Sequence, residues 1–236
     1  MKGIIYLFIF LFSIQTQASG GFSVSKTRVI FPSNKDSLGL TVNNNSDSNI
    51  SLLRSWISKD TKGESDESVF AITPPLYRLE PNSKMQLRIN LIDDSHLPKD
   101  RESIFYINIL AIPPIEEQSE IDVNGISSGV QIAINQKMKL FYRPKSIDNE
   151  ERVQESSKGL IFKNKNGTML IENPSPYYIT LSDLTINEKK HKNDINIMLS
   201  PYESLNLDIK TKKGDKVTYK TINDYGGITD GNVIQI

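Results

Sequence analysis

Few residues in this chain could carry covalent chemistry. The two histidines, His96 and His191, lie far apart, each among charged and polar neighbours. There is no cysteine, which removes thiolate nucleophiles, thiolate metal sites and disulfides together. No Gly-x-Ser-x-Gly elbow on a strand-to-helix turn is expected, and neither a His-Glu-x-x-His helix nor a Gly-rich phosphate loop occurs. The 28 Asp and Glu residues include no pair marked for general acid–base work, and a solvated surface is the simpler reading of each. Lys and Arg also total 28, so no net field draws in nucleic acid, and no basic cluster is interleaved with aromatics. The expectation is a non-enzymatic protein with no catalytic residue, metal or cofactor and no nucleic-acid partner.

The strongest feature is instead a strand. Over residues 130–144, the even positions Val130, Ile132, Ile134, Gln136, Met138, Leu140 and Tyr142 give nearly strict period two. That is a long strand with one apolar face. Gly129 precedes it and Pro144 ends it.

The elements around it follow the same grammar. Residues 1–18 hold a basic Lys2, an apolar run over 4–14 and a small residue, Ala18. This reads as a secretory leader cut after Ala18, and the expected mature protein is exported and soluble. A retained N-terminal anchor is the alternative. From residue 22 onward, short strand-like runs at 22–31, 38–42, 50–57, 69–72, 77–79, 85–91 and 104–112 alternate with turn chemistry. None sustains a helical period, and the one helical exception expected is a turn near 93–97. Residues 116–129 form an acidic loop. The polar stretch 145–157 marks a domain boundary, giving domains at 19–144 and 145–236. Strand candidates resume at 160–162, 169–172, 177–181, 195–199, 205–209 and 217–222. Asn166-Gly167 is a hairpin turn. The fold class predicted is all-β, two sandwiches in series.

Several words, in order along the chain, carry a resemblance. They are Thr27-Arg28-Val29-Ile30-Phe31, Thr73-Pro74-Pro75-Leu76-Tyr77-Arg78-Leu79-Glu80-Pro81 and Leu97-Pro98-Lys99-Asp100-Arg101-Glu102-Ser103-Ile104-Phe105-Tyr106. Ile112-Pro113-Pro114, Lys139-Leu140-Phe141-Tyr142-Arg143-Pro144, Asn173-Pro174-Ser175-Pro176-Tyr177-Tyr178 and Ile222-Asn223-Asp224-Tyr225-Gly226-Gly227 complete the set. Together the chain resembles the periplasmic pilus chaperones, the PapD-like family of the chaperone–usher pathway. The resemblance implies two immunoglobulin-like sandwiches in a boomerang, located in the periplasm. It implies capture of an incomplete fimbrial or surface-fibre subunit by donor-strand complementation, and delivery to an outer-membrane usher.

Carried over by residue, Val130, Ile132 and Ile134 match the donor side chains. Arg28 and Lys139 match the cations that bind the subunit's C-terminal carboxylate, although without the resemblance each would pass for an ordinary exposed charge. Glu102, Arg143 and Asp224 match an interdomain ionic triad. Lys139 is odd-numbered and the donor residues even, so a flat strand turns them to opposite sides. The 116–129 loop is longer than in the short-loop branch, while the paired cysteines and N-terminal extension of the long-loop branch are missing, so the branch and fibre morphology stay open. So does self-capping of the free protein as a homodimer. A rival reading, a structural subunit or adhesin, would need a donor extension before Phe22.

Overall fold

Alternating burial builds the strands of both halves. The computed structural model describes residues 21–65, 68–114, 132–190 and 197–236. The leader at 1–18, the acidic loop at 116–129, Val130 and His191 lie outside the described residues. The first half holds β1 (Phe22–Val24), β2 (Arg28–Pro32), β3 (Ser37–Asn44), β4 (Ser51–Ser58), β5 (Phe70–Thr73), β6 (Leu76–Leu79), β7 (Ser83–Leu91), β8 (Ser103–Ile112) and β9 (Ile134–Arg143). One sheet runs β1-β3-β7-β5 and the other β2-β9-β8-β4-β6. Between them lies a core that includes Val29, Phe31, Leu40, Leu53, Phe70, Ile89, Phe105, Ile107, Leu140 and Tyr142. Phe31, Phe105 and Tyr142 all ring Phe70, at centroid distances of 4.9 to 6.3 Å. Each such side chain contributes about 1.5–3 kcal/mol by leaving water.

The single strand expected at 22–31 is two. The polar Ser25-Lys26-Thr27 interrupts its apolar pattern, and the chain changes sheets there. β1 pairs antiparallel with β3, and β2 pairs parallel with β9. β9 is also shorter at its start than the alternation predicts. Its partner β8 ends at Ile112, where Pro113-Pro114 have no N–H to donate, so the ladder stops at the pair Ala111 and Ile134. Ile132 and Ala133 therefore lie outside the strand.

The second half holds β10 (Ile161–Lys165), β11 (Thr168–Glu172), β12 (Ile179–Ile186), β13 (Lys189–Lys190), β14 (Met198–Leu199), β15 (Ser204–Lys210), β16 (Lys216–Thr221) and β17 (Asn232–Gln235). One sheet runs β10-β11-β15 and the other β13-β12-β16-β17, with β14 also on β12. Asn166 and Gly167 turn β10 into β11 with φ of 53° and 87°, the left-handed pair that a tight hairpin needs. Both halves are immunoglobulin-like sandwiches, and the protein is all-β.

The polar stretch after β9 is not a bare linker. It holds a 3-10 turn at Lys145–Ile147 and a helix, α1 (Glu150–Lys158). The Asn149 side chain accepts from Arg152 N, two glutamates occupy the first turn, and Lys158 sits in the last. Cap and charges all favour the helix, while its lack of buried residues hides the apolar stripe that a period search looks for. The turn expected at 93–97 forms without a helix, with Leu97 N donating to Asp94 O.

Candidate functional site

β9 is covered unevenly along its two edges. β8 pairs with it from Ile134 to Tyr142, whereas β2 pairs only from Lys139 to Arg143. Among the described residues no strand lies on the β2 side of residues 134–138. Alternate N–H and C=O groups there face outward without a ladder partner. The even-numbered row Met138, Leu140, Tyr142 is buried in the first core. Ile134 and Ile132 continue toward the open end, where they are 53% and 70% exposed. Large aliphatics left in water beside an open strand edge are a template for another strand.

The open edge ends at two cations. Arg28 is the first residue of β2 and pairs in register with Lys139. Partners in a parallel ladder share a face, so both side chains lie on the sheet face opposite the core, as the odd number of Lys139 predicts. Arg28 is not the exposed charge its type suggests: it is 8% exposed. Its Nη1 donates to Ile222 O of the second sandwich at 3.3 Å, and its guanidinium lies 5.6 Å from the Phe141 ring centroid. Phe141 is in turn backed by Tyr178 at 5.6 Å. Lys139 is half-buried. Burial, and then the neighbouring Arg28 charge, hold its ammonium below the usual lysine range. Burial likewise lowers Arg28, while Asp224 and Glu102 pull it back up. Two cations forced together in a partly dry site are suited to an anion that comes to them.

A buried ion cluster joins the sandwiches just beyond. The Arg143 guanidinium donates through Nε to Glu102 Oε1 at 2.8 Å and through Nη1 and Nη2 to the two Asp224 oxygens at 2.7 and 3.0 Å. The second Glu102 oxygen accepts Tyr178 N at 2.8 Å, and Glu102 N donates to Pro176 O at 2.9 Å. The structure thus brings Glu102, Arg143 and Asp224 together from three distant words. Burial opposes the Arg143 charge, but the Asp224 hydrogen bonds and both carboxylates outweigh it and raise its pKa. Burial pushes the Glu102 carboxyl up against the pull of Arg143 and of Tyr178 N–H.

Some contributors to the site carry no local signal in the sequence. Phe141 and the Ile222 carbonyl meet Arg28 only because the second sandwich folds back onto β2 and β9, which no local pattern reports. Residues 125–129 spell Gly-x-Ser-x-Gly in letters. They fall outside the described residues and lead toward a strand, whereas the serine elbow leads into a helix. Among the described residues no group of three or more His, Asp or Glu is gathered as for a metal ion, and no helix is long and apolar enough to cross a membrane.

Two immunoglobulin-like sandwiches locked by a buried ion cluster, with a strand edge left open at their junction, define a class of two-domain β-sandwich binding proteins. The family model "Pili and flagellar-assembly chaperone, PapD N-terminal domain" matches residues 21–148, and "Pili assembly chaperone PapD, C-terminal domain" matches residues 155–233. The chain belongs to this family of pilus-assembly chaperones, which is not a family of enzymes. It is 34% identical to the chaperone protein FocC of Escherichia coli over 215 residues, covering 91% of this chain and 89% of FocC. Identity to HifB of Haemophilus influenzae is also 34%, over 221 residues, covering 92% and 89%. Among solved structures, the periplasmic chaperone SfaE is 32% identical with a TM-score of 0.75, covering 92% of this chain and 100% of that one. A chain of the Salmonella enterica SafA pilin–SafB chaperone complex is 25% identical with a TM-score of 0.78, covering 92% and 97%. The protein is a chaperone of pilus subunits in the chaperone–usher pathway.

Proposed function

We propose that this chaperone works in the periplasm by lending β9 to a fimbrial subunit that lacks its final strand. Val130, Ile132 and Ile134 fill the subunit's groove, and its C-terminal carboxylate rests on Arg28 and Lys139. The observation that carries this reading is the open edge of β9 ending where Arg28 begins β2. A strand laid on that edge parallel to β9 runs in line with β2, so its C-terminus arrives at Arg28 and Lys139. A main-chain carboxylate lies in the plane of the sheet, within reach of cations on one face while the donor side chains use the other. Charge-assisted hydrogen bonds at one end then fix which subunit residue faces which donor side chain. Burying Ile132 and Ile134 adds about 1.5–3 kcal/mol each before ordering costs.

Glu102, Arg143 and Asp224 hold the two sandwiches at the angle that shapes this cleft. The apolar leader supports export, and the similarity to SfaE, a periplasmic chaperone, points the same way. An outer-membrane usher then takes the loaded complex, and the chaperone itself catalyses no reaction. In the absence of a subunit, a second copy of the chain can cover the same exposed edge, giving a self-capped dimer.

The test is Ile132→Asp. Because Ile132 is 70% exposed in the free chain, the variant is expected to fold with an unchanged Tm. Placing its carboxylate in an apolar groove should cut co-purified subunit roughly tenfold or more. An unchanged subunit yield would rule out donation by this segment.

A further inference from the structure

The turn at residues 222–228 of the second sandwich is built independently of the first. Ile222 and Ile228 form a bridge across its mouth. The Asn223 side-chain oxygen accepts both Tyr225 N at 3.0 Å and Gly227 N at 2.8 Å. Asn223 N donates to Gly227 O, Gly226 N donates to Asn223 O, and Ile222 N is held by Thr180 O. One side-chain acceptor satisfying the amides of Tyr225 and Gly227, with the Asn223 carbonyl taking the Gly226 amide between them, makes a stiff loop.

Three groups on this turn reach the first sandwich. Asp224 meets Arg143, the Ile222 carbonyl takes Nη1 of Arg28, and Gly226 lies against Thr27. The last contact tolerates only glycine: φ is +85°, and a Cβ built there would overlap Thr27 Oγ1. The ionic cluster explains the first contact. The other two bear on Arg28 and on the residue just before it.

An arginine near Asp224 and Glu102 has two carboxylates of its own protein to turn toward. Fixing one amino group of a planar guanidinium orients its remaining donors as a unit. With the Ile222 carbonyl on Nη1 and the Phe141 ring beneath, the guanidinium is held in one plane beside Lys139. We propose that the 222–228 turn is a positioning element for carboxylate capture, with Asn223 and Gly226 acting through Arg28 rather than on the subunit. This rests on the carboxylate-anchor reading above. Its consequence is that the second domain sets the selectivity of a site on the first for a free chain end.

The test uses the full chain and two synthetic peptides of one alternating apolar sequence, one ending in a carboxylate and the other in an amide. The quantity read is the ratio of their dissociation constants. Wild type is expected to prefer the acid by about tenfold, the weight of one charge-assisted hydrogen bond. Asn223→Ala and Gly226→Ala should each remove most of that preference and leave amide affinity unchanged. Asn223→Asp, which keeps the acceptor for both turn amides, should restore it. If Arg28→Ala erases the preference while both turn variants keep it, the anchor stands and the positioning role falls. Equal weakening of acid and amide peptides in the turn variants would also overturn the role, since general loosening of the cleft acts on both. A wild type that does not distinguish the peptides removes the anchor itself, and the inference with it.

Discussion

Lys139→Ala is expected to fold at least as stably as the parent and to lose subunit capture by about 2 kcal/mol or more, roughly thirtyfold in affinity. The two halves of this expectation share one cause. In the free chain the ammonium is half-buried next to Arg28, and its pKa is lowered by burial and by that like charge. A lysine whose folded pKa lies below its unfolded value is disfavoured in its charged form by folding, so its removal relieves the native state at neutral pH. A carboxylate at the site reverses the sign, because it favours the charged form and pulls the pKa back up. Capture by wild type should therefore weaken as pH rises through the lowered pKa of Lys139. The weakening should begin below the ordinary lysine value of about 10.4. Lys139→Arg, which stays charged, should remove that alkaline dependence. Titration of subunit binding between neutral and alkaline pH reads both effects. A Lys139→Ala variant that binds as wild type does would remove lysine from the anchor.

Arg143→Ala is expected to cost about 3–5 kcal/mol of stability in denaturant unfolding. The Arg143 and Glu102 side chains are 6% and 2% exposed, and Asp224 is 29% exposed. Removing the cation leaves Glu102 as an unpaired buried charge held between Tyr178 N–H and the core. Its carboxyl is already pushed up by burial, and Arg143 is the charge that opposes this. A carboxyl whose folded pKa is raised costs stability above that pKa and ceases to do so when protonated below it. The deficit of the variant should thus be largest at neutral pH and shrink as the pH falls. Glu102→Gln in the same chain should recover part of it. A loss under about 1 kcal/mol, the range of exposed pairs, would show that the cluster does not hold the sandwiches together.

Much of this was legible in the sequence where side chains alternate. The period-two row at Met138, Leu140 and Tyr142 gave the core face of β9, and the break at Pro113-Pro114 could have given its start. Asn166-Gly167 announced its hairpin because a two-residue turn needs positive φ at both positions. Other features had no local signal. Phe141 is buried although its number puts it on the face away from the core, because Tyr178 of the second sandwich covers it. Arg28 is buried by the same cause, so residue type alone misjudged it. The helix α1 was hidden in a polar stretch whose cap and charges favour it without an apolar stripe. The requirement for Gly226 depends on Thr27, some two hundred positions away, and no spacing rule spans that distance. What alternation and turn chemistry govern can be read from the chain; what the two domains impose on each other cannot.

In the proposed complex a subunit strand is added to the free edge of β9. Amide hydrogen exchange across residues 132–138, compared between the free chaperone and its complex with subunit, tests it most directly. Among residues 134–138 alternate amides point away from β8, and in the free chain they are expected to exchange fast. In the complex they should become protected along with their neighbours, while β4 and β6 on the far side of the sheet remain unchanged. A stable complex in which these amides still exchange at the free rate would contradict strand addition and place the subunit elsewhere on the molecule.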